Sequence, residues 1–234
     1  MAAEATVTHR GLDGRRFELS GMLDLSQPCT SAVTVTAGGR VHELTAGPAA
    51  LGAELAAALG VERFGEELTL QGGRLLIGRA SHFDAGIRLT EDVLVAVWHG
   101  RRYCLVTRMY RATTADAVGL LRTLRITEHD DGIALRPDAG AGTAFAEPAT
   151  VTKQVPGLGL LEVSARTARH ARALPDWQGV RTRAGELFQD TLGNGKPYFV
   201  LAGADTWVTV MPLADTVVGR LPALADRLAL RAVG

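Results

Sequence analysis

The chain states one order of elements twice, and that order restricts its folds more than any other feature. Residues 93–124 read as an apolar strand, a tight turn at His99-Gly100, a second strand over 102–109 and an amphipathic helix over 114–124. Residues 186–230 repeat the order: a strand, the turn Gly193-Asn194-Gly195-Lys196, strands over 197–202 and 206–211, and a closing helix from Leu221. Two similar half-units of this kind are expected to pack side by side with a groove between them. That is an architecture and not a chemistry.

The links elsewhere are also tight. Residues 6–9 and 15–19 flank Gly11-Leu12-Asp13-Gly14, 32–36 and 40–44 flank Ala37-Gly38-Gly39, and 68–71 and 74–78 flank Gly72-Gly73. Glycine accepts the positive φ of short hairpin turns, so each pair predicts a hairpin. Val33 and Val35 alternate with Thr34 and Thr36, the period of a half-buried strand. Residues 93–98 form an unbroken apolar run, which predicts a central strand covered on both faces. Leu51, Leu55, Ala58 and Leu59 share one face at helical spacing and predict a helix over 46–59, stopped at Gly60. Ala117, Val118, Leu121 and Leu124 do the same for the helix after Met109, with Thr113 or Thr114 as its cap. Residues 165–174 have helical composition and end at Pro175.

The expected fold class is α+β: mostly antiparallel sheet with a few covering helices, in two similar sheet-plus-helix halves. Residues 138–148 are rich in small residues and have no hydrophobic period. The division drawn from this is an N-terminal half over 1–137, a linker over 138–150 and a C-terminal half over 151–234.

Composition narrows the function classes. Hydrophobic residues make up 47% and charged residues 21%, a folded globular profile. Acidic and basic residues balance at 25 each, without the basic excess of a nucleic-acid binder. The one local basic concentration, Arg166, Arg169, Arg172, Arg181 and Arg183, reads as a solvated face ahead of an anion patch. Lys153 and Lys196 are the only lysines, and with abundant Ala and Gly that bias points to a high-GC bacterial genome. Residues 1–10 lack the basic start and apolar run of a signal peptide, and no stretch approaches the ~18 apolar residues of a membrane helix. A soluble, cytoplasmic protein is expected.

Catalytic signatures are sparse. Gly-x-Ser-x-Gly, a phosphate-binding loop and a strand-to-helix Gly-x-Gly-x-x-Gly are all missing from the sequence. His82 and Asp84 fall two apart on an extended segment, where they could act as a base and its partner, although a solvated loop is favoured. Glu128-His129-Asp130-Asp131 is a compact set of metal-ligand types, but Gly132 marks a polar turn. Cys104, near Arg101 and Arg102, reads as a small packed hydrophobe; Cys29, after Pro28, carries no signal of its own, and both are expected as unbridged thiols. Trp98 and Trp207 fall on core strands. Trp177, in Pro175-Asp176-Trp177-Gln178-Gly179, is the candidate partner-binding residue, because exposed aromatic side chains anchor interfaces.

The expected function is a non-catalytic binding or assembly protein (adaptor, chaperone or structural subunit) of a soluble bacterial complex. Its partner would be another protein or a second copy, with no nucleic acid, membrane, metal or cofactor. The alternative is an enzyme of unidentified class with a site between the halves, using His82, Asp84 or His129.

Overall fold

Short glycine turns set the topology. Gly38 and Gly39 both have positive φ (56° and 74°), the conformation of a two-residue type I′ turn whose twist matches its flanking strands. The computed structural model describes residues 4–84 and 88–233, with the side chains of His82, Asp84 and Leu89 outside the description. In chain order the elements begin β1 (Ala5–Arg10), β2 (Arg16–Gly21), β3 (Cys29–Ala37), β4 (Arg40–Pro48) and α1 (Leu51–Ala58). There follow β5 (Phe64–Leu70), β6 (Gly73–Asp84), β7 (Leu89–His99), β8 (Tyr103–Tyr110), α2 (Thr114–Arg122), β9 (Leu124–His129) and β10 (Gly132–Pro137). Next come β11 (Ala144–Phe145), β12 (Thr150–Val155), β13 (Gly159–Ala165), α3 (Ala168–Ala173), β14 (Val180–Thr182) and β15 (Gly185–Thr191). The chain closes with β16 (Pro197–Ala202), β17 (Thr206–Met211), α4 (Asp215–Val218), α5 (Leu221–Ala225) and β18 (Leu228–Val233).

Strand accounts for 54% and helix for 16% of the chain, so the fold is mostly antiparallel β rather than α+β. The helices are too short to form a layer of their own. The helix expected over 46–59 begins only at Leu51, because Thr45–Pro48 remain in β4 and pair with Tyr103–Val106 of β8. Gly52 and Ala56 are its buried residues, while Leu51 and Leu55 are half-buried. The closing helix is five residues long, and Leu228, expected on its apolar face, starts β18 instead.

Contacts divide the chain into two units that interleave along the sequence. One holds residues up to Gly11, Arg15–Cys29 and everything from Ala149 onward; the other holds Leu12–Gly14 and Thr30–Pro148. The division therefore differs from 1–137 and 151–234: β2 pairs with β18, which draws the first hairpin into the unit of the C-terminal strands. Residues 138–150 are partly structured, since Ala144 and Phe145 pair with Thr36 and Val35.

In the second unit the order is β11-β3-β4-β8-β7-β6-β5, with β9–β10 as a separate hairpin. Val93, Val95 and Val97 of β7 pack with Ala56, Val61 and Val106, and the alternate register of Leu94, Ala96 and Trp98 is buried as well. Two covered faces explain the continuous apolar run. Thr113 caps α2 in a reciprocal box with Asp116.

The first unit contains the strand order β14-β15-β16-β17-β13-β12 and the three-stranded sheet β1-β2-β18. Phe17, Leu19 and Leu230 join Val151, Leu161, Leu187, Phe199, Val208 and Val210 in one core, closed by Leu221 and Ala225 of α5. The β15–β16 link is a hairpin, as expected of the turn Gly193-Asn194-Gly195-Lys196. Gly195 alone has positive φ (81°), and its N–H donates to the Leu192 carbonyl at 2.8 Å. That is a three-residue loop with glycine in the left-handed position rather than an Asn-Gly type I′ turn.

Candidate functional site

The site that best fits a sequence expectation lies where the sheet of the first unit ends. β14 is three residues long and, among the described residues, pairs with β15 alone. It covers only Gly185, Glu186 and Leu187, so β15 runs on from Phe188 to Thr191 with β16 alone beside it. Gln189, Asp190 and Thr191 are exposed. Such an edge presents backbone N–H and C=O groups to any extended chain that approaches.

Local chemistry explains why the chain leaves this edge open. Thr167 accepts from the His170 N–H at 3.2 Å, while His170 Nδ1 accepts the Thr167 N–H at 3.3 Å, starting α3. The His170 ring stacks on Trp207 of β17 at 4.7 Å and 15°, which ties α3 to the sheet. Leu174, preceding Pro175, is extended (ψ 140°), as proline requires of its predecessor, and the helix stops. The chain then bends through Asp176 and Trp177 and comes down on β15 at Gly179. The Gly179 N–H donates to Glu186 Oε1 at 2.7 Å, and a Cβ there would lie 2.6 Å from the Leu187 carbonyl oxygen. Only glycine fits this approach.

Trp177 is 65% and Val180 52% exposed, an apolar pair at the entrance to β14. Arg169, Arg172 and Arg181 are exposed on the same stretch of chain. Asp226, just after α5, accepts the Arg183 N–H at 3.1 Å, closing the other end of β14. On β15 the Asp190 carboxylate takes the Thr191 N–H at 2.7 Å and the Tyr198 hydroxyl at 2.9 Å; these bonds hold its pKa below the usual value. The arrangement can bind an extended chain.

The remaining sequence candidates fall elsewhere. The side chains of His82 and Asp84, at the end of β6, lie outside the described residues. Glu128 and His129 end β9, Asp130 and Asp131 make the turn to β10, and the carboxylates of Glu128 and Asp130 are committed to structure. Glu128 accepts the N–H groups of Arg101, Arg102 and Tyr103 at 2.8, 2.7 and 3.1 Å, and Asp130 pairs with Arg102 at 2.5 Å. Burial opposes ionisation of Glu128, but the three amides prevail and its pKa falls below the usual value. No group of three or more His, Cys, Asp or Glu among the described residues is placed to hold a metal ion. Cys104 is fully buried, its Sγ 3.3 Å from the Pro48 carbonyl, and burial pushes its pKa up to about 11. A thiol kept protonated in this way is a poor nucleophile.

Two open clefts mark the second unit. One of about 660 Å³ lies where β4 and β8 diverge and is lined by Arg40, His42, Arg108, Tyr110 and Arg111, with Arg108 3.7 Å from Glu43. The other, about 640 Å³, surrounds Trp98, His99 and the occupied Glu128. Burial, with a neighbouring arginine, lowers the pKa of both His42 and His99.

No protein-family model matches the chain, and no curated protein or solved structure matches it either. The site is therefore read from its own geometry. Sequence reasoning singled out Trp177 but missed Val180, Arg181 and the open end of β15, since an edge is defined by pairing that no local pattern encodes. No helix among the described residues is long and apolar enough to cross a membrane.

Proposed function

We propose that this is a binding protein that takes an extended segment of another protein along the free edge of β15, anchored on Trp177. The observation that carries the reading is the run Phe188–Thr191, which β14 leaves open on one side and β16 pairs on the other, next to the stretch that holds a 65% exposed tryptophan. Adding a strand to an open edge supplies backbone hydrogen bonds, and a neighbouring aromatic side chain supplies the anchor. The exposed arginines favour a partner segment with acidic residues flanking an apolar one. Both units then vary one plan, sheet followed by short helices, and the first uses its sheet end as the docking element. An adaptor or assembly subunit acts in this way without catalysing a reaction.

The test is co-purification from the native host with three tagged forms: wild type, Trp177→Ala and Arg181→Glu. Each substitution is on the surface and is expected to leave circular dichroism unchanged. A protein retained by wild type and lost with Trp177→Ala, and weakened tenfold or so with Arg181→Glu, supports the reading. Equal retention by all three contradicts it.

A further inference from the structure

Lys153 occupies a position that a cation rarely takes. It lies on β12 between Val151 and Val155, in the register whose side chains enter the core of the first unit, and it is 1% exposed. Its Nζ donates to the carbonyl of Gln27. Among the described residues no carboxylate forms an ion pair with it; burial lowers its pKa, and Cys29 and Asp24 act in the opposite direction. Asp24 is exposed and turned to Ser26, whose N–H and Oγ donate to it at 2.9 and 2.6 Å. A buried lysine either loses its proton or takes a compensating anion.

Cys29 is the group placed to supply it. It is two residues from the carbonyl that anchors Lys153, and it opens β3 only partly buried. Its Sγ lies 3.0 Å from His9 Nδ1, a hydrogen-bond contact from β1. All three side chains belong to the first unit. A thiol in hydrogen-bond contact with an imidazole loses its proton more readily, because the imidazolium stabilises the thiolate, and any charge that Lys153 keeps acts in the same direction. Cys104 is the contrast within the same chain: buried, bonded to a carbonyl and without a cationic partner among its contacts.

We propose that Cys29, His9 and Lys153 form a reactive-thiolate site that exchanges with low-molecular-weight disulfides. In the step, the Cys29 sulfur attacks one sulfur of the disulfide, and a new Sγ–S bond forms as the old S–S bond breaks. The departing thiolate takes a proton from solvent. The product is a mixed disulfide at Cys29, and no oxidant beyond the disulfide is consumed. His9 and Lys153 are positioning residues here; Cys29 alone is covalently changed. The site is independent of the β15 edge, so the protein would carry a redox-responsive position besides its docking element.

The test is the reaction of native protein with an aromatic disulfide, DTNB, followed from about pH 5 to 9. An unperturbed thiol with a pKa of about 8.5 is about 1% ionised at pH 6.5, so its rate falls tenfold per unit below its pKa. Cys29 is expected to keep most of its rate to about pH 6.5, with Cys29→Ser removing the fast phase. Lys153→Met and His9→Asn are each expected to slow it by about tenfold at that pH and move the profile upward. Lys153→Met leaves a long apolar chain in the core register. Should it nonetheless unfold, the thiolate absorbance of wild type against Cys29→Ser gives the same pKa without it. A Cys29 profile centred near that of an ordinary thiol, or rates indifferent to both substitutions, overturns the proposal.

Discussion

Removing the Glu128 carboxylate should destabilise the second unit by an amount that follows from its contacts. The side chain is 10% exposed and collects three backbone N–H donors from the β7–β8 turn at 2.7 to 3.1 Å. A hydrogen bond to a charged group contributes about 1.5–3 kcal/mol. Arg101 and Arg102 are exposed, so water replaces most of what their amides lose, whereas Tyr103 is half-buried. Glu128→Ala should therefore cost about 2–4 kcal/mol, and Glu128→Gln, which keeps one acceptor oxygen, about 1–2 kcal/mol. The pH dependence has a definite sign. The folded pKa of Glu128 lies below its unfolded value, so its contribution is present above the unfolded pKa and is lost as pH falls through the folded one. Urea unfolding followed by circular dichroism at neutral pH gives the difference between wild type and Glu128→Gln. That gap should narrow as the pH falls below about 4. A Glu128→Ala effect under about 0.5 kcal/mol, the scale of an ordinary surface change, or a gap that persists in acid, would refute the clamp.

Other outcomes follow from single contacts. Leu55→Ala should cost about 1–2 kcal/mol by urea unfolding, below the range for a fully buried leucine, because Leu55 is only half-buried. Gly73→Ala should cost about 2 kcal/mol, since its Cβ would lie 2.3 Å from the Trp98 indole, which a 2.8 Å hydrogen bond to the Leu70 carbonyl holds in place. Thiol titration of denatured, unreduced protein should find Cys29 and Cys104 both free. In the native protein Cys104 should resist alkylation until the pH approaches its pKa of about 11, and rapid labelling of it at neutral pH would contradict its burial.

What was legible in the sequence was what local chemistry decides. Gly38-Gly39 and the strands around them, the apolar run of β7 and the Thr113 cap each follow from neighbours in the chain. The helix at 46–59 was overextended because Ala46, Gly47 and Pro48 sit beside an alanine-rich segment, while their pairing with β8 is a contact made across more than fifty residues. β18 read as helix because Leu221, Leu224, Ala225 and Leu228 keep helical spacing, yet its ladder with β2 is tertiary. The interleaved units were hidden for the same reason. Trp177 could be placed in a turn by Pro175 and Gly179, but the free edge beside it depends on where β14 stops. Lys153 did leave a signal: a lysine in the apolar register Val151-x-Lys153-x-Val155 is an ionisable group placed in a core. Its neighbours Cys29 and His9 lie more than a hundred residues away and could not be named from that pattern.

The measurement that bears most directly on the proposed function is amide hydrogen exchange at β15, with and without the partner retained by the wild-type protein. Strand addition should slow exchange at Gln189, whose N–H faces away from β16, by tenfold or more, while the Thr191 N–H already donates to Asp190 and the interior amides of β16 stay unchanged. Unaltered exchange at Gln189 in the presence of bound partner would contradict it.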